Sequence, residues 1–289
     1  MTRIVRVVGL AVMAIALVFL GRELSANWPT IRAWRPGPGE IALLGALAAV
    51  YGLAQFLLAE AWHRIVGIFG TEPRARTYFS FTVSIVARYL PGNVAHLLGR
   101  ALYLRGGSLG DGALARATLT ELCTTPAGAI LILAVLAPFL PGDVLGPWPE
   151  AVRMALMLAP VGLVLGWLAL RHLTANLPTL SEIGAPILYA AAFMAVLGGV
   201  FAKIAGIVVD VPLLPAAAAA ILAWLLGYAT PGAPGGLGTR EAALVLLLGL
   251  LASEAELLLA AGAFRLATTL GELACFWAGW PVRRRLVAR

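Results

Sequence analysis

The hydrophobic residues of this chain lie in long runs, and the polar residues lie mostly in short segments between them. A helix needs about 20 predominantly apolar residues to cross the hydrocarbon core of a bilayer. The runs are continuous and lack the alternation that a transmembrane β-strand requires. They therefore predict six membrane-spanning helices, at about residues 4–21, 40–60, 112–139, 151–171, 184–208 and 256–280.

The composition supports an all-α polytopic membrane protein. Of the 289 residues, 61% are hydrophobic and 12% are charged, whereas a soluble domain carries about 25% charged residues. No long polar segment interrupts the chain, so we predict a single membrane domain over residues 1–289. The run at 4–21 follows a basic start, as in a signal peptide, but we interpret it as a retained first helix.

Two apolar segments do not fit the pattern of full spans. The segment at 76–106 is interrupted by Pro91-Gly92, and the segment at 213–250 is interrupted by the sequence PGAPGGLGTRE. Each half is too short to cross a bilayer alone. Non-helical backbone at membrane depth is tolerated inside protein or beside a water-filled cavity. We therefore predict that each segment folds back at its break as a re-entrant hairpin.

The distribution of basic residues predicts the topology. Six spans and two hairpins place both termini on the same side of the membrane. The loop at 140–150 contains no Lys or Arg, whereas both terminal segments are basic. The positive-inside rule then places both termini in the cytoplasm. We expect the protein to lie in the cytoplasmic (inner) membrane. The loop at 22–39, with three arginines, departs from the rule.

The two breaks resemble each other in sequence. Nine residues separate Pro91 from Arg100 and also Pro231 from Arg240. Each hairpin is followed by a helix that carries an arginine and a glutamate. We interpret this as a repeat, with halves at about 76–140 and 213–280, although chance recurrence of short motifs is an alternative. Three spans lie between the hairpins, which would make the repeat inverted, as in secondary transporters.

Charged residues within the apolar segments are the candidate functional residues. A charge at the centre of a span costs at least about 2.5–3.5 kcal/mol. Two interpretations stay open: salt bridges that hold the bundle together, or a polar cavity for a charged head group. Glycines before a returning helix also favour anion binding at its N-terminus. The candidate substrate-binding residues are Arg88, Pro91, Gly92, Asn93, His96, Arg100, Glu121, Gly235, Gly236, Gly238, Arg240, Glu241, Arg265 and Glu272.

Metal and cofactor chemistry finds no support in the sequence. Cys123 and Cys275 both lie in apolar runs, where they fit as small packing residues, and the spacing of the cysteines and histidines matches no metal site. His96 fits either a proton relay or a helix-packing role. We predict no cofactor and no metal.

The stretches RYLPGNVAHLLGR and PGGLGTREAALVLLL resemble the lysylphosphatidylglycerol synthase transmembrane family, also called the flippase-like domain family. The positions that match the motifs of this family are Pro91, Gly92, Gly99, Arg100, Gly235, Gly236, Gly238 and Glu241. The resemblance implies lipid translocation. It implies a standalone membrane region, because the 289 residues contain no aminoacyl-transfer domain of the kind that the best-known members carry. Standalone members are associated with moving lipids or lipid-linked sugars across bacterial and archaeal membranes.

We therefore expect a flippase or transporter, not an enzyme, for an anionic phosphate-bearing lipid such as a polyprenyl-phosphate-linked sugar or a phospholipid. The expected partners are this lipid and the bilayer, with no nucleic acid. No G-x-x-x-x-G-K-[ST] nucleotide motif is present, so a proton or ion gradient, or downhill flow, would supply the energy. The alternatives are an intramembrane transferase with Glu121, Glu241 or Glu272 as general base, and a non-catalytic subunit of a lipid-modifying complex.

Overall fold

The computed structural model describes residues 34–89, 95–142, 149–174, 177–230, 234–236 and 238–287, without the side chains of 234 and 280–287. The structure is 86% helical, and no described residue lies in a β-strand. The predicted all-α class is thus confirmed.

Nine α-helices follow one another along the described ranges. They are α1 Pro38–Phe69, α2 Arg74–Ser84, α3 Ala95–Leu104, α4 Asp111–Leu136, α5 Pro149–Leu173, α6 Leu180–Val208, α7 Leu213–Ala229, α8 Thr239–Leu248 and α9 Glu254–Val287. Short 3-10 helices at Ile85–Tyr89, Ala137–Phe139 and Pro234–Gly236 connect or extend them.

Five of these helices are long and apolar enough to cross a membrane. They are α1, α4 with its extension to Phe139, α5, α6, and α9 as far as Gly279. They confirm the predicted runs at 40–60, 112–139, 151–171, 184–208 and 256–280 as long apolar helices. None of the residues of α5 is buried, as expected for a helix that faces lipid. The predicted run at 4–21 lies outside the described residues. The described helices indicate a multi-pass membrane protein.

Three of the five long helices begin with a glutamate that caps their own first turn. Before α6, the Thr179 N–H donates to the Glu182 carboxylate at 2.6 Å, and the Glu182 N–H donates back to the Thr179 hydroxyl at 3.3 Å. Ser253 and Glu256 form the same reciprocal capping box at α9. At α1, the Gly37 N–H donates to Glu40 at 2.7 Å. These caps fix the N-terminal ends of the three helices at the borders of the polar segments.

The break in the second interrupted segment is confirmed. Helix α7 ends at Ala229, and α8 begins at Thr239 and packs against α7. Between them Gly235, Gly236 and Gly238 have φ values of 57°, 72° and 80°, in the left-handed region that favours glycine. In the first segment, Leu90 to Val94 lie outside the described residues. Re-entrancy of both hairpins and the repeat halves 76–140 and 213–280 stay predictions.

The described chain divides into two compact units. Unit 1 contains the described parts of residues 1–53, 84–97 and 197–274. Unit 2 contains those of residues 54–83, 98–196 and 275–289. Five helices contribute residues to both units: α1, α2, α3, α6 and α9.

Close contacts between small residues hold each unit together. In unit 1, a Cβ atom added at Gly52 of α1 would lie 2.7 Å from the Gly271 carbonyl oxygen of α9. In unit 2, a Cβ atom at Gly128 of α4 would lie 2.6 Å from the Ala191 backbone nitrogen of α6. Small residues at such crossings let helix backbones approach closely, which is how helices associate in a membrane.

Candidate anion site in unit 1

A cavity lined by charged and aromatic side chains lies within unit 1. Its empty volume is about 570 Å³, including the part that opens to the outside. The polar and aromatic residues that line it are Tyr51, Arg88, Tyr89, Trp224, Arg240, Glu241, Phe264, Arg265, Thr268 and Glu272.

The two interrupted segments meet at this cavity. The 3-10 helix Ile85–Tyr89 contacts the 3-10 helix Pro234–Gly236. The Tyr89 ring lies 3.9 Å from where a Cβ atom of Gly235 would stand, so the absence of a side chain at Gly235 gives the ring room. Arg88 and Tyr89 thereby line the same cavity as α8.

On one side of the cavity, the Glu272 carboxylate of α9 accepts hydrogen bonds from three side chains. It is 3% exposed and forms an ion pair with Arg88. The Tyr89 hydroxyl donates to its Oε2 at 2.7 Å, and the Tyr51 hydroxyl donates to its Oε1 at 3.4 Å. A buried carboxylate needs such partners to offset its loss of hydration. The close crossing at Gly52 and Gly271 holds the adjacent Tyr51 and Glu272 near each other.

On the other side of the cavity, the Glu241 carboxylate accepts hydrogen bonds from a backbone N–H and from an arginine. Its Oε2 accepts the Gly238 N–H at 2.8 Å and so caps the first turn of α8. Its Oε1 accepts from Nε of Arg265 at 2.8 Å. Glu241 is 6% exposed, so both of its oxygens are satisfied inside the protein. One carboxylate thus fixes the start of α8 and holds the side chain of Arg265.

Arg240 differs from the other two arginines because no carboxylate among the described residues pairs with it. Its Nε is buried and makes no hydrogen bond. The side chain passes between Gly227 of α7 and Gly236. A Cβ atom at Gly227 would lie 2.8 Å from Cγ of Arg240, and one at Gly236 would lie 2.6 Å from its Nε. The Arg240 guanidinium carbon is 6.0 Å from the centre of the Trp224 ring.

The lining residues therefore carry three arginines and two glutamates, which leaves one positive charge. Two arginines are engaged in ion pairs, and Arg240 supplies the remaining charge. An arginine guanidinium presents a planar fork of donors that matches phosphate or carboxylate oxygens. The cavity is equipped to bind an anion.

The structure brings more than half of the predicted site residues together at this cavity. Arg88, Gly235, Arg240, Glu241, Arg265 and Glu272 line the cavity, and Gly236 and Gly238 adjoin it through Arg240 and Glu241. His96 is buried in unit 1 but does not line the cavity. Pro91, Gly92 and Asn93 lie outside the described residues.

Arg100 and Glu121 do not line this cavity; both belong to unit 2. They form an ion pair with each other, and the Arg100 guanidinium carbon lies 4.1 Å from the centre of the Phe81 ring. Arg100 is 2% exposed and Glu121 is 6% exposed. For these two residues the structure shows the alternative interpretation, a buried salt bridge.

Sequence reasoning missed the aromatic and hydroxyl-bearing members of the site. Tyr51 and Trp224 lie in apolar runs, where aromatic residues are common packing residues, so their sequence context contained no signal. Tyr89 stands two residues before the Pro91-Gly92 break, and this position was a usable signal. Thr268 lies on the same helix as Arg265 and Glu272, three residues after the first, a spacing that places it on the same face.

Two further cavities, both in unit 2, are mainly apolar. Helices α4 and α5 line both, and Cys123, Trp167 and Leu170 are common to the two. Within the described ranges, no group of three or more His, Cys, Asp or Glu side chains could hold a metal ion. Neither cavity in unit 2 combines several charges in the way that the unit 1 cavity does.

Neither a scan against protein-family models nor a search of the curated proteins returns a match for this chain. The resemblance of its two motif stretches to the flippase-like family therefore stays a prediction. The function has to be inferred from the residues of the site.

Proposed function

We propose that this protein transports an anionic, phosphate-bearing lipid across the cytoplasmic membrane, with the phosphate bound in the unit 1 cavity. The observation that carries the proposal is the charge of Arg240, which no carboxylate of the described residues balances, beside two closed ion pairs. A cation in an apolar surrounding is costly unless a counter-charge offsets it. A phosphate group supplies that counter-charge, and arginine binds it through two parallel hydrogen bonds.

The chain around the cavity favours a lipid as the bearer of the phosphate. Five apolar helices long enough to span a bilayer make up most of the described residues. A head group can enter the polar cavity while its acyl or prenyl tails stay in the hydrocarbon. The protein then has no need of a wide aqueous pore. A polyprenyl-phosphate-linked sugar and a phospholipid both combine a phosphate-bearing head group with apolar tails.

The meeting of the two interrupted segments supports a transport mechanism. In secondary transporters, broken helices meet at the substrate site, and one repeat rocks against the other to expose the site alternately. Here the 3-10 helices at the two breaks are in contact beside the cavity. A phosphate on Arg240 also attracts Arg88 and Arg265, which belong to the two ion pairs. This attraction links binding to the positions of the two breaks.

The transferase alternative requires a carboxylate that is free to accept a proton. Glu241 and Glu272 both have an arginine partner and further hydrogen bonds. No specific observation favours either an enzyme or a scaffolding subunit over a transporter.

Lipid crossing in proteoliposomes tests the proposal. Fluorescent phosphatidylglycerol is placed in one preparation and a polyprenyl-phosphate sugar in another, and the fraction accessible from outside is followed over time. We expect protein-dependent crossing of at least one lipid. Arg240→Ala should slow it by about 10- to 100-fold, since a hydrogen bond to a charged group contributes about 1.5–3 kcal/mol.

Arg105→Ala is the matched control, because Arg105 is an exposed arginine that pairs with Asp111 at the surface. The Arg105→Ala variant should transport at the wild-type rate. The Arg240→Lys variant should transport faster than Arg240→Ala, because lysine keeps the positive charge. Crossing that is unchanged in Arg240→Ala would contradict the assignment of the site. A chemically altered lipid would instead indicate the transferase.

A further inference from the structure

The charge balance of the unit 1 cavity limits the kind of phosphate that it can hold. Arg88 is paired with Glu272 and Arg265 with Glu241, so Arg240 alone carries uncompensated charge among the described lining residues. The residues of the two breaks outside the described ranges, 90–94, 231–233 and 237, include no charged side chain.

We infer that the cavity selects a phosphodiester head group, which carries one negative charge, over a phosphomonoester or a diphosphate. The inference rests on the proposed function and names its substrate class. A monoanion neutralises Arg240 and leaves the cavity without net charge. A dianion leaves one negative charge uncompensated in an apolar surrounding, where interactions between charges are strong.

Recruiting a second arginine does not resolve the excess charge. If Arg88 or Arg265 turned to the ligand, Glu272 or Glu241 would be left buried and unpaired, and breaking a buried ion pair is strongly unfavourable. Glu241 also caps α8 through the Gly238 N–H, so its displacement would disturb the start of that helix. The two ion pairs therefore resist opening for a more highly charged ligand.

The geometry of Arg240 points to the same class. Its side chain is confined between Gly227 and Gly236, so the guanidinium has one narrow range of positions. A phosphodiester has two unesterified oxygens, which match one guanidinium fork.

Binding to the purified full-length protein in phosphatidylcholine nanodiscs tests the inference. The probes are dihexanoyl phosphatidylglycerol, a diester, and dihexanoyl phosphatidate, a monoester. The second pKa of a phosphomonoester is about 6, so phosphatidate is a dianion at pH 8 and mainly a monoanion at pH 5. We expect wild type to favour phosphatidylglycerol by about tenfold or more at pH 8, and this preference to shrink at pH 5.

Removing one carboxylate should change the selectivity. Glu272→Gln keeps an acceptor for Tyr89 but frees the charge of Arg88, so the cavity gains a second positive charge. We expect the preference at pH 8 to be lost or reversed. Glu241→Gln should act in the same way through Arg265 and serves if Glu272→Gln does not fold. Glu150→Gln, an exposed carboxylate of α5, should leave the selectivity unchanged.

The outcomes separate this inference from the proposed function. Equal binding of the two lipids by wild type at pH 8, or tighter binding of phosphatidate, would overturn the selectivity and leave the transporter standing. Unchanged selectivity in both glutamine variants would overturn it as well. A folded protein that binds neither lipid would overturn the proposed function together with the inference.

Discussion

Unit 1 and unit 2 both contain an arginine and a glutamate buried among apolar helices, and they use them differently. In unit 2, Arg100 and Glu121 pair with each other and Arg100 packs over Phe81. In unit 1, two such pairs surround a third arginine, Arg240, that has no carboxylate partner among the described residues. A balanced pair holds helices together. Under the proposed function, the surplus charge of the unit 1 cavity binds the anionic ligand, whereas the balanced pair of unit 2 is structural.

The largest expected effect comes from breaking the balanced pair. Arg100→Ala would leave the Glu121 carboxylate buried without a counter-charge, which should lower the free energy of unfolding by about 3–5 kcal/mol. Denaturant titration in detergent micelles, followed by tryptophan fluorescence, measures it. The double variant Arg100→Met with Glu121→Leu should recover most of the loss and transport lipid as wild type does. A single variant as stable as wild type would contradict the structural role.

Removing the surplus charge of Arg240 should leave the stability nearly unchanged and weaken lipid binding strongly. Arg240→Met deletes a cation that no carboxylate in the described part of the chain pairs with, so the free energy of unfolding should stay within about 1 kcal/mol of wild type. Binding of phosphatidylglycerol should fall by about 10- to 100-fold. Both quantities can be measured on one nanodisc preparation. A loss of stability as large as that of Arg100→Ala would indicate that Arg240, too, is structural.

A smaller effect is expected from filling the space beside Arg240. Gly227→Ala would place a Cβ atom 2.8 Å from Cγ of Arg240 and so displace the guanidinium. We expect lipid binding to weaken by about tenfold, which corresponds to 1.4 kcal/mol. Gly262→Ala on α9 is the control, because nothing lies within 4 Å of its added Cβ. The control should bind normally and gain up to about 1 kcal/mol from the better helix propensity of alanine.

The smallest expected effect concerns the hydroxyls on Glu272. Tyr89→Phe removes a hydrogen bond of 2.7 Å and should weaken lipid binding by about 2- to 10-fold, since one such bond contributes about 0.5–1.5 kcal/mol. Tyr51→Phe removes a longer contact of 3.4 Å and should have less effect. Isothermal titration with phosphatidylglycerol measures both. A larger loss in Tyr51→Phe would reverse the order of importance that the geometry indicates.

Hydropathy predicted five long helices, because bilayer thickness sets the length of an apolar run. Three of them match their observed bounds within a few residues, whereas α1 and α9 continue nine and seven residues beyond the predicted runs. The break between α7 and α8 was also predictable, because the sequence between them is rich in proline and glycine. Three of these glycines adopt positive φ in the structure. The expected charged residues of the site on α8 and α9 do line the cavity. Arg100 was grouped with Arg240 because both follow a Pro-Gly by nine residues, yet Arg100 belongs to a buried ion pair.

The sequence alone determined the class of the protein, the positions of its apolar helices and the residue types that a membrane makes costly. These properties depend on local composition, which hydropathy and backbone preferences report directly. Only the tertiary structure decided which arginine pairs with which glutamate. Arg265 finds Glu241 across 24 residues, and Arg88 finds Glu272 across 184. Whether a charge is balanced depends on such distant partners, and no local pattern contains that information.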